Sequence, residues 1–258
     1  MAAAADRLPA LRVPEWEAIP NLVHGFLGRR GGASGGPFAE LNLSYRVGDA
    51  AEAVRENWRR VGVETRGLRY APIHQVHGDR VVTINDGDVE GGEADASVTQ
   101  ASATSVGVLT ADCVPILLVA PRHRVAAAVH AGWRGTLAGV LRRAVQHIEH
   151  EFHVPAVELH AALGPSIDGC CYEVDEAVAD ALEERWGPPS VAVRREPAAK
   201  PRVDLRLLNT AILRHAGIRP THITNVGPCT RCTTTQYFSH RASNGATGRQ
   251  WSFIGWHA

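Results

Sequence analysis

The chain has 258 residues, 45% of them hydrophobic, so it can bury the core of one large domain. Lys plus Arg balance Asp plus Glu at 27 each, and a formal net charge of zero lacks the basic excess that a nucleic-acid binder displays. No run approaches the ~20 apolar residues that span a bilayer. The opening alanines lack a basic flank and are interrupted by Asp6 and Pro9, which argues against a signal peptide and for a cytoplasmic protein.

In chain order, 22–27 reads as a first strand and is followed by the glycine-rich run 28–38. Asp49 is placed to cap a helix through Val61, with Val54, Trp58 and Val61 at helical spacing and Gly62 as its stop. Arg55, Arg59 and Arg60 on this helix read as a solvated face. Strands are expected at 80–84 and 105–109, then a buried hairpin from 115–120 and 125–129 joined by PRHR. A helix over 136–152 carries the stripe Leu137, Val140, Leu141, Ala144, Ile148 and Phe152. A strand follows at 158–163, then helices at 175–186 and 204–216, the second capped by Asp204 and closed by Gly217. The Pro-rich stretch 187–201 reads as a surface loop, and 221–226 and 251–254 as late strands. The alternation predicts a single α+β domain, 1–258, with a mixed sheet and helices on its outer faces.

Three segments carry chemistry: HQVHG at 74–78, TADCVPILL at 110–118 and HAGWRG at 130–135. His77, Cys113 and His130 each stand where an apolar strand meets a turn. Two imidazoles and a thiolate make the three-ligand set of a catalytic zinc, whose fourth position stays open and lowers the pKa of water there towards ~7. A histidine at a strand end is more often a hydrogen-bonded structural residue, and the chain has 13. What distinguishes these two is the small-residue turn beside each. In an extended segment His74 and His77 leave opposite faces, so only His77 is taken as a ligand. Asp112 is either a proton carrier beside the metal or a strand-end cap bonded to backbone. A metal-free Cys113–His130 nucleophile dyad is the other reading of the pair. The glycine runs at 28–36 and 132–135 could cradle an anion; the first reads better as a surface turn.

The five cysteines are Cys113, Cys170, Cys171, Cys229 and Cys232, read as thiols, ligands or core residues rather than disulfides. The adjacent pair Cys170–Cys171 is taken as packing. Cys229-x-x-Cys232 has no second CxxC to complete a zinc ribbon and is expected to carry no function.

These motifs, with RRGGASGGPFAELNLSYRVGD at 29–49, GPSIDGCCYEV at 164–174, FSHR at 238–241 and TGRQ at 247–250, make the chain resemble the YfiH-like, laccase-domain family across nearly its whole length. The resemblance implies a four-layer α/β/β/α fold with mixed sheets. It also implies a zinc site of His77, Cys113 and His130, and substrate contacts from Ser34, Asn42 and Arg249. Members of the family are known variously as polyphenol oxidases, purine nucleoside phosphorylases and adenosine deaminases. The activity so implied is zinc-dependent phosphorolysis of purine nucleosides and deamination of adenosine. Its partners are then a nucleoside and phosphate, in a monomer or weak homo-oligomer. Hydrolytic editing of a peptidoglycan precursor is the alternative. Copper phenol oxidation fits worst, because multicopper sites need His-x-His pairs and the chain has none. Ala242 and Ala50 depart from the family's usual Arg and Asp, both away from the proposed ligands.

Overall fold

The hairpin expected at 115–129 is the centre of the molecule. In the computed structural model, which describes residues 8–187 and 192–258, Val114–Ala120 and Val125–Ala131 pair antiparallel, with Leu117 opposite Ala128 and Pro115 opposite His130. Both strands are buried along their whole length. Successive side chains leave opposite faces of a strand, so each feeds two cores. Val114, Ile116, Leu118, Val125, Ala127 and Val129 pack with Leu141, Ile148, Leu182 and Leu208 of three helices. Leu117, Val119, Ala126 and Ala128 pack instead with Phe26, Val106, Val108, Ile254 and Trp256 of a second sheet. The alanines leave room between the sheets for those aromatic rings, as close packing requires.

The first sheet has six strands, in the order Ile223–Asn225, His160–Leu163, Val114–Ala120, Val125–Ala131, Ala96–Thr99 and Val81–Ile84. Its inner pairs are antiparallel and its two outer pairs parallel. The second runs Ala10–Leu11, Leu22–Leu27, Gln250–Trp256, Thr104–Thr110 and Arg69–Tyr70, with only the last pair parallel. On its outer face Leu27, Trp251 and Phe253 meet Val61 and Trp58 of the helix Ala51–Glu64, together with Leu41 and Leu43. Helix, sheet, sheet and helices thus stack as the four layers the family resemblance implies. The chain passes from one sheet to the other at Ala111-Asp112-Cys113, between Thr104–Thr110 and Val114–Ala120. Among the described residues no helix is long and apolar enough to cross a membrane.

Several elements differ from expectation for identifiable reasons. Ala50, not Asp49, is the N-cap of the first helix, because the Asp49 carboxylate accepts from Ser34 and Asn42 as well as from the Ala50 N–H. Gly62 does not stop that helix, which continues to Glu64. The helix expected over 136–152 starts earlier and is two helices, Trp133–Ala138 and Val140–Phe152. They are broken at Gly139, whose φ of 94° is left-handed. The loop expected over 187–201 holds a short ladder between Val193–Arg194 and Arg202–Val203, with Ala192 and Val193 in the core; residues 188–191 lie outside the described ones. The arginines at 55–60 form a charged face in which Glu56 pairs with both Arg59 and Arg60.

Two glycines test the packing in opposite directions. A Cβ at Gly107 would run into the Trp251 indole and lie 2.7 Å from the Ser252 carbonyl oxygen. Gly107→Ala is therefore expected to destabilise by about 1–3 kcal/mol. A Cβ at Gly62 meets nothing within 4 Å and the residue is helical, so Gly62→Ala is expected to stabilise by about 0.5–1 kcal/mol. Urea denaturation measures both; a neutral or stabilising Gly107→Ala would show that the five-stranded sheet packs more loosely than described.

Candidate metal centre

Strand parity brings two of the predicted ligands together. His130 lies two positions beyond Ala128 on the inter-sheet side of its strand, and Cys113 has the parity of Leu117 and Val119. Register sets Ala131 opposite Val114, which carries Gly132 past Cys113. A Cβ on Gly132 would lie 2.9 Å from the Cys113 Sγ and 3.4 Å from the His77 ring, so the glycine keeps the space between them clear.

His77 arrives from a separate loop that two side chains fasten. Gln75 pairs with the backbone of Leu109 as a strand would, its Nε2 donating to the carbonyl at 2.9 Å and its Oε1 accepting from the N–H at 2.8 Å. Asp95, fully buried, accepts from the N–H groups of Val76, His77 and Gly78 at 3.2, 2.9 and 2.7 Å. These bonds hold His77 at a φ of 61°, a left-handed conformation that costs a non-glycine residue about 1–3 kcal/mol. His74 stands apart from the group, with its Nδ1 3.7 Å from Glu93.

The same Asp95 carboxylate lies 2.8 Å from His130 Nδ1. With that nitrogen engaged, Nε2 is the one left to coordinate, the arrangement by which a carboxylate fixes a metal-binding histidine. Ligand atoms of His77, Cys113 and His130 lie within 4.8 Å of one another. His130 is buried, Cys113 half-buried and His77 exposed, so the group opens to one side. Burial works against a charge on Asp95, but His130 and the N–H groups hold its carboxyl below the usual range. Burial would also raise the Cys113 thiol, yet His130 and His77 draw it down to about 6. Burial would lower His130, which the Cys113 thiolate and Asp95 instead lift to about 9. Two imidazoles and a readily ionised thiolate with one open side fit a divalent metal.

Asp112 adjoins the group at a φ of 89°. Its Oδ1 accepts from the Thr230 hydroxyl at 2.6 Å and its Oδ2 from the Arg241 N–H at 2.7 Å. Arg249 is also near: burial lowers its guanidinium pKa, while Cys113 and Asp112 oppose that shift. Its Nη1 donates to the carbonyls of Thr247 and Gly248.

Ser34 and Asn42 are both buried and hydrogen-bonded within the protein. Asn42 is fully buried, its Oδ1 accepting from Ser44 and Arg249 and its Nδ2 donating to Ser44 and Asp49. Ser34 donates to Asp49 and accepts from Asn57. Asn42 braces the segment that carries Arg249, and Ser34 joins it at the Asp49 carboxylate. In the glycine run at 28–36 the N–H groups of Gly31, Ala33 and Ser34 are already bonded to Glu40 and Asn57.

Sequence reasoning missed Asp95, Gln75 and Tyr172. Tyr172 lies close enough to Cys113 and Asp112 that both help raise its phenol pKa, after burial. An aspartate ahead of a strand carries no pattern of its own; Gln75 and Tyr172 do lie in quoted motifs, QVHG and GCCYEV, where they were passed over.

Residues 23–257 match a family model described as multi-copper polyphenol oxidoreductase laccase. The chain is 34% identical over 245 residues to purine nucleoside phosphorylase YlmD of Geobacillus stearothermophilus, covering 90% of this chain and 89% of that one. The crystal structure of YlmD from that organism superposes with a TM-score of 0.89 at 32% identity, covering 93% of each chain. Purine nucleoside phosphorylase of Deinococcus radiodurans is 37% identical over 255 residues, 97% of this chain and 94% of that one. Adenosine deaminase RL5, from an unknown prokaryotic organism, is 32% identical over 247 residues, 90% and 93% of the two chains.

Chelator-treated protein should show the Asp95–His130–Cys113 relay directly. The thiolate is the nucleophile, so alkylation of Cys113 by iodoacetamide is expected to accelerate as pH rises through about 6 and to level off above. Asp95→Asn removes one of the two charges, beside that of Cys113, that keep His130 protonated, and the midpoint should move up. Peptide mass spectrometry resolves Cys113 from the other thiols; an unmoved midpoint in Asp95→Asn would separate Asp95 from the relay.

Proposed function

The chain belongs to the multi-copper polyphenol oxidoreductase laccase family, and from that premise we propose a zinc-dependent purine nucleoside enzyme. It phosphorolyses adenosine-, inosine- and guanosine-type nucleosides and deaminates adenosine. The observation that carries this reading is the one-sided opening of the His77–Cys113–His130 group, with Arg249 and Asp112 beside it. Relatives named purine nucleoside phosphorylase and adenosine deaminase supply the substrate class.

Zinc is preferred to copper on donor chemistry. A blue-copper centre shares the two-histidine, one-cysteine set, but an oxidase needs further histidine-rich copper ligands. The other group of metal-capable side chains among the described residues is all cysteine. Free thiols throughout fit a reducing compartment such as the cytoplasm.

When bound, the ion supplies Lewis acidity, which makes water a nucleophile near neutral pH. Asp95 keeps His130 in one tautomer and orientation, and keeps the His77 loop closed over the group. Deamination exchanges the amino group at purine C6 for an oxygen of water and releases ammonia, so a proton must reach the leaving nitrogen. Asp112 is assigned to carry it: each of its oxygens accepts one hydrogen bond and keeps a lone pair. Phosphorolysis breaks the bond from ribose C1′ to the purine, with phosphate as nucleophile. The Arg249 guanidinium is assigned to hold that anion.

Adenosine is expected to give inosine without phosphate, and free base plus ribose 1-phosphate with it, as chromatography resolves. Asp112→Asn should slow deamination by roughly tenfold or more relative to phosphorolysis, since only deamination carries a proton to ammonia. Arg249→Ala should raise the phosphate requirement and leave deamination nearly intact. Inert nucleosides alongside release of an amino acid from a cell-wall precursor would transfer the site to amide hydrolysis.

A further inference from the structure

Cys170 and Cys171 do not pack in the core, and Cys229-x-x-Cys232 does not stand alone. Their four sulfurs lie within 4.8 Å of one another, brought together from chain segments some sixty residues apart. Cys171 and Cys232 are 3.4 Å apart, Cys170 and Cys171 3.6 Å, and Cys170 and Cys232 3.8 Å. Four thiolates at ~2.3 Å around a tetrahedral ion are separated by about 3.8 Å, so these spacings already suit a shared ion. Cys170 and Cys232 are exposed, Cys171 is half-buried and only Cys229 is buried. Hydrophobic burial therefore does not explain the gathering, and exposed free thiols are a liability without a partner.

The backbone is arranged for it. A helix-like turn, with the N–H groups of Cys171 and Tyr172 both donating to the Asp168 carbonyl, lets two adjacent cysteines present their sulfurs together. The N–H groups of Asp168, in that first segment, and of Cys232, in the other, are directed at the Cys229 sulfur. A thiolate takes such bonds well. Arg231, inside the CxxC, donates to the Cys171 carbonyl and brings positive charge to a group whose four thiolates would exceed the charge of a divalent ion.

We propose that Cys170, Cys171, Cys229 and Cys232 form a second metal site, a closed tetrathiolate holding zinc. The site has four protein ligands and no open position, so its part is structural. Thr230 lies within the CxxC and donates to Asp112 Oδ1, and its N–H bonds to the Ser166 carbonyl. Ile167 N–H bonds to the Asp112 carbonyl. The ion thus joins the two loops that hold Asp112 against the first centre.

Metal content and X-ray absorption on the full-length protein test this independently of nucleoside chemistry. Protein produced with ample zinc is expected to hold about two ions per chain. Cys113→Ala should lose activity and one ion but keep the other, with an absorption spectrum of sulfur neighbours alone at about 2.3 Å. Cys170→Ser/Cys232→Ser should likewise fall to one ion, now in a shell containing nitrogen. One ion in the parent and none in Cys113→Ala would overturn the proposal, as would nitrogen in the zinc shell of Cys113→Ala. The absorption spectrum decides even where the double variant fails to fold.

Discussion

One buried carboxylate organises the centre. Asp95 is fully inaccessible and accepts from three consecutive backbone N–H groups and from His130. An unpaired charge in that position would be expensive; four donors make it tolerable, and the same bonds fix a strained His77 and a single face of His130. One atom group therefore sets two of the three ligands. The third, Cys113, follows from the strand register, because the hairpin that carries His130 begins beside it. With no ion bound the electrostatics run the same way: carboxylate, imidazolium and thiolate alternate in sign from the interior outward.

Around this sits a scaffold that leaves little freedom. The central hairpin is buried on both faces, and the contrast between alanines on one layer and rings on the other sets how closely the sheets approach. Cys113 directly precedes one of these strands and His130 lies within the other, so their separation is set mainly by the strand pair, which is the more precise way to hold a reactive group. His77 comes from a longer loop, and that loop is hydrogen-bonded almost as a strand would be.

Much of this was legible in the residues. Two continuous apolar runs on either side of PRHR located the hairpin, and helical spacing located the outer helices, because those signals come directly from burial. The failures cluster where a polar side chain had more than one possible partner. Asp49 has the chemistry of a helix cap, but Ser34 and Asn42, distant in sequence, share its carboxylate. Gly139 was counted inside a helix because a glycine there is only a weak break; its left-handed φ declares itself in three dimensions alone. The cysteines illustrate the same limit from the other side. CxxC at 229–232 looked incomplete because its complement is an adjacent pair, a spacing no ribbon pattern contains. Asp95 could not be read at all, since nothing local distinguishes an aspartate that will receive four donors from one that will face water.

The pairing of Gln75 with Leu109 has a mechanical consequence. Leu109 belongs to the five-stranded sheet and Asp95 directly precedes a strand of the six-stranded one, so the His77 loop is tied to both layers of the sandwich, whereas Cys113 adjoins and His130 lies in the central strands of the six-stranded sheet. An ion held by all three, as proposed, would add a further tie between the layers. Occupancy and global stability would then be two readings of one equilibrium: at a hundredfold excess over its dissociation constant the ion would add ~2.7 kcal/mol to the folded state. The linkage runs in reverse as well. Whatever loosens the seam between the sheets, however far from the three side chains, weakens their hold on the metal.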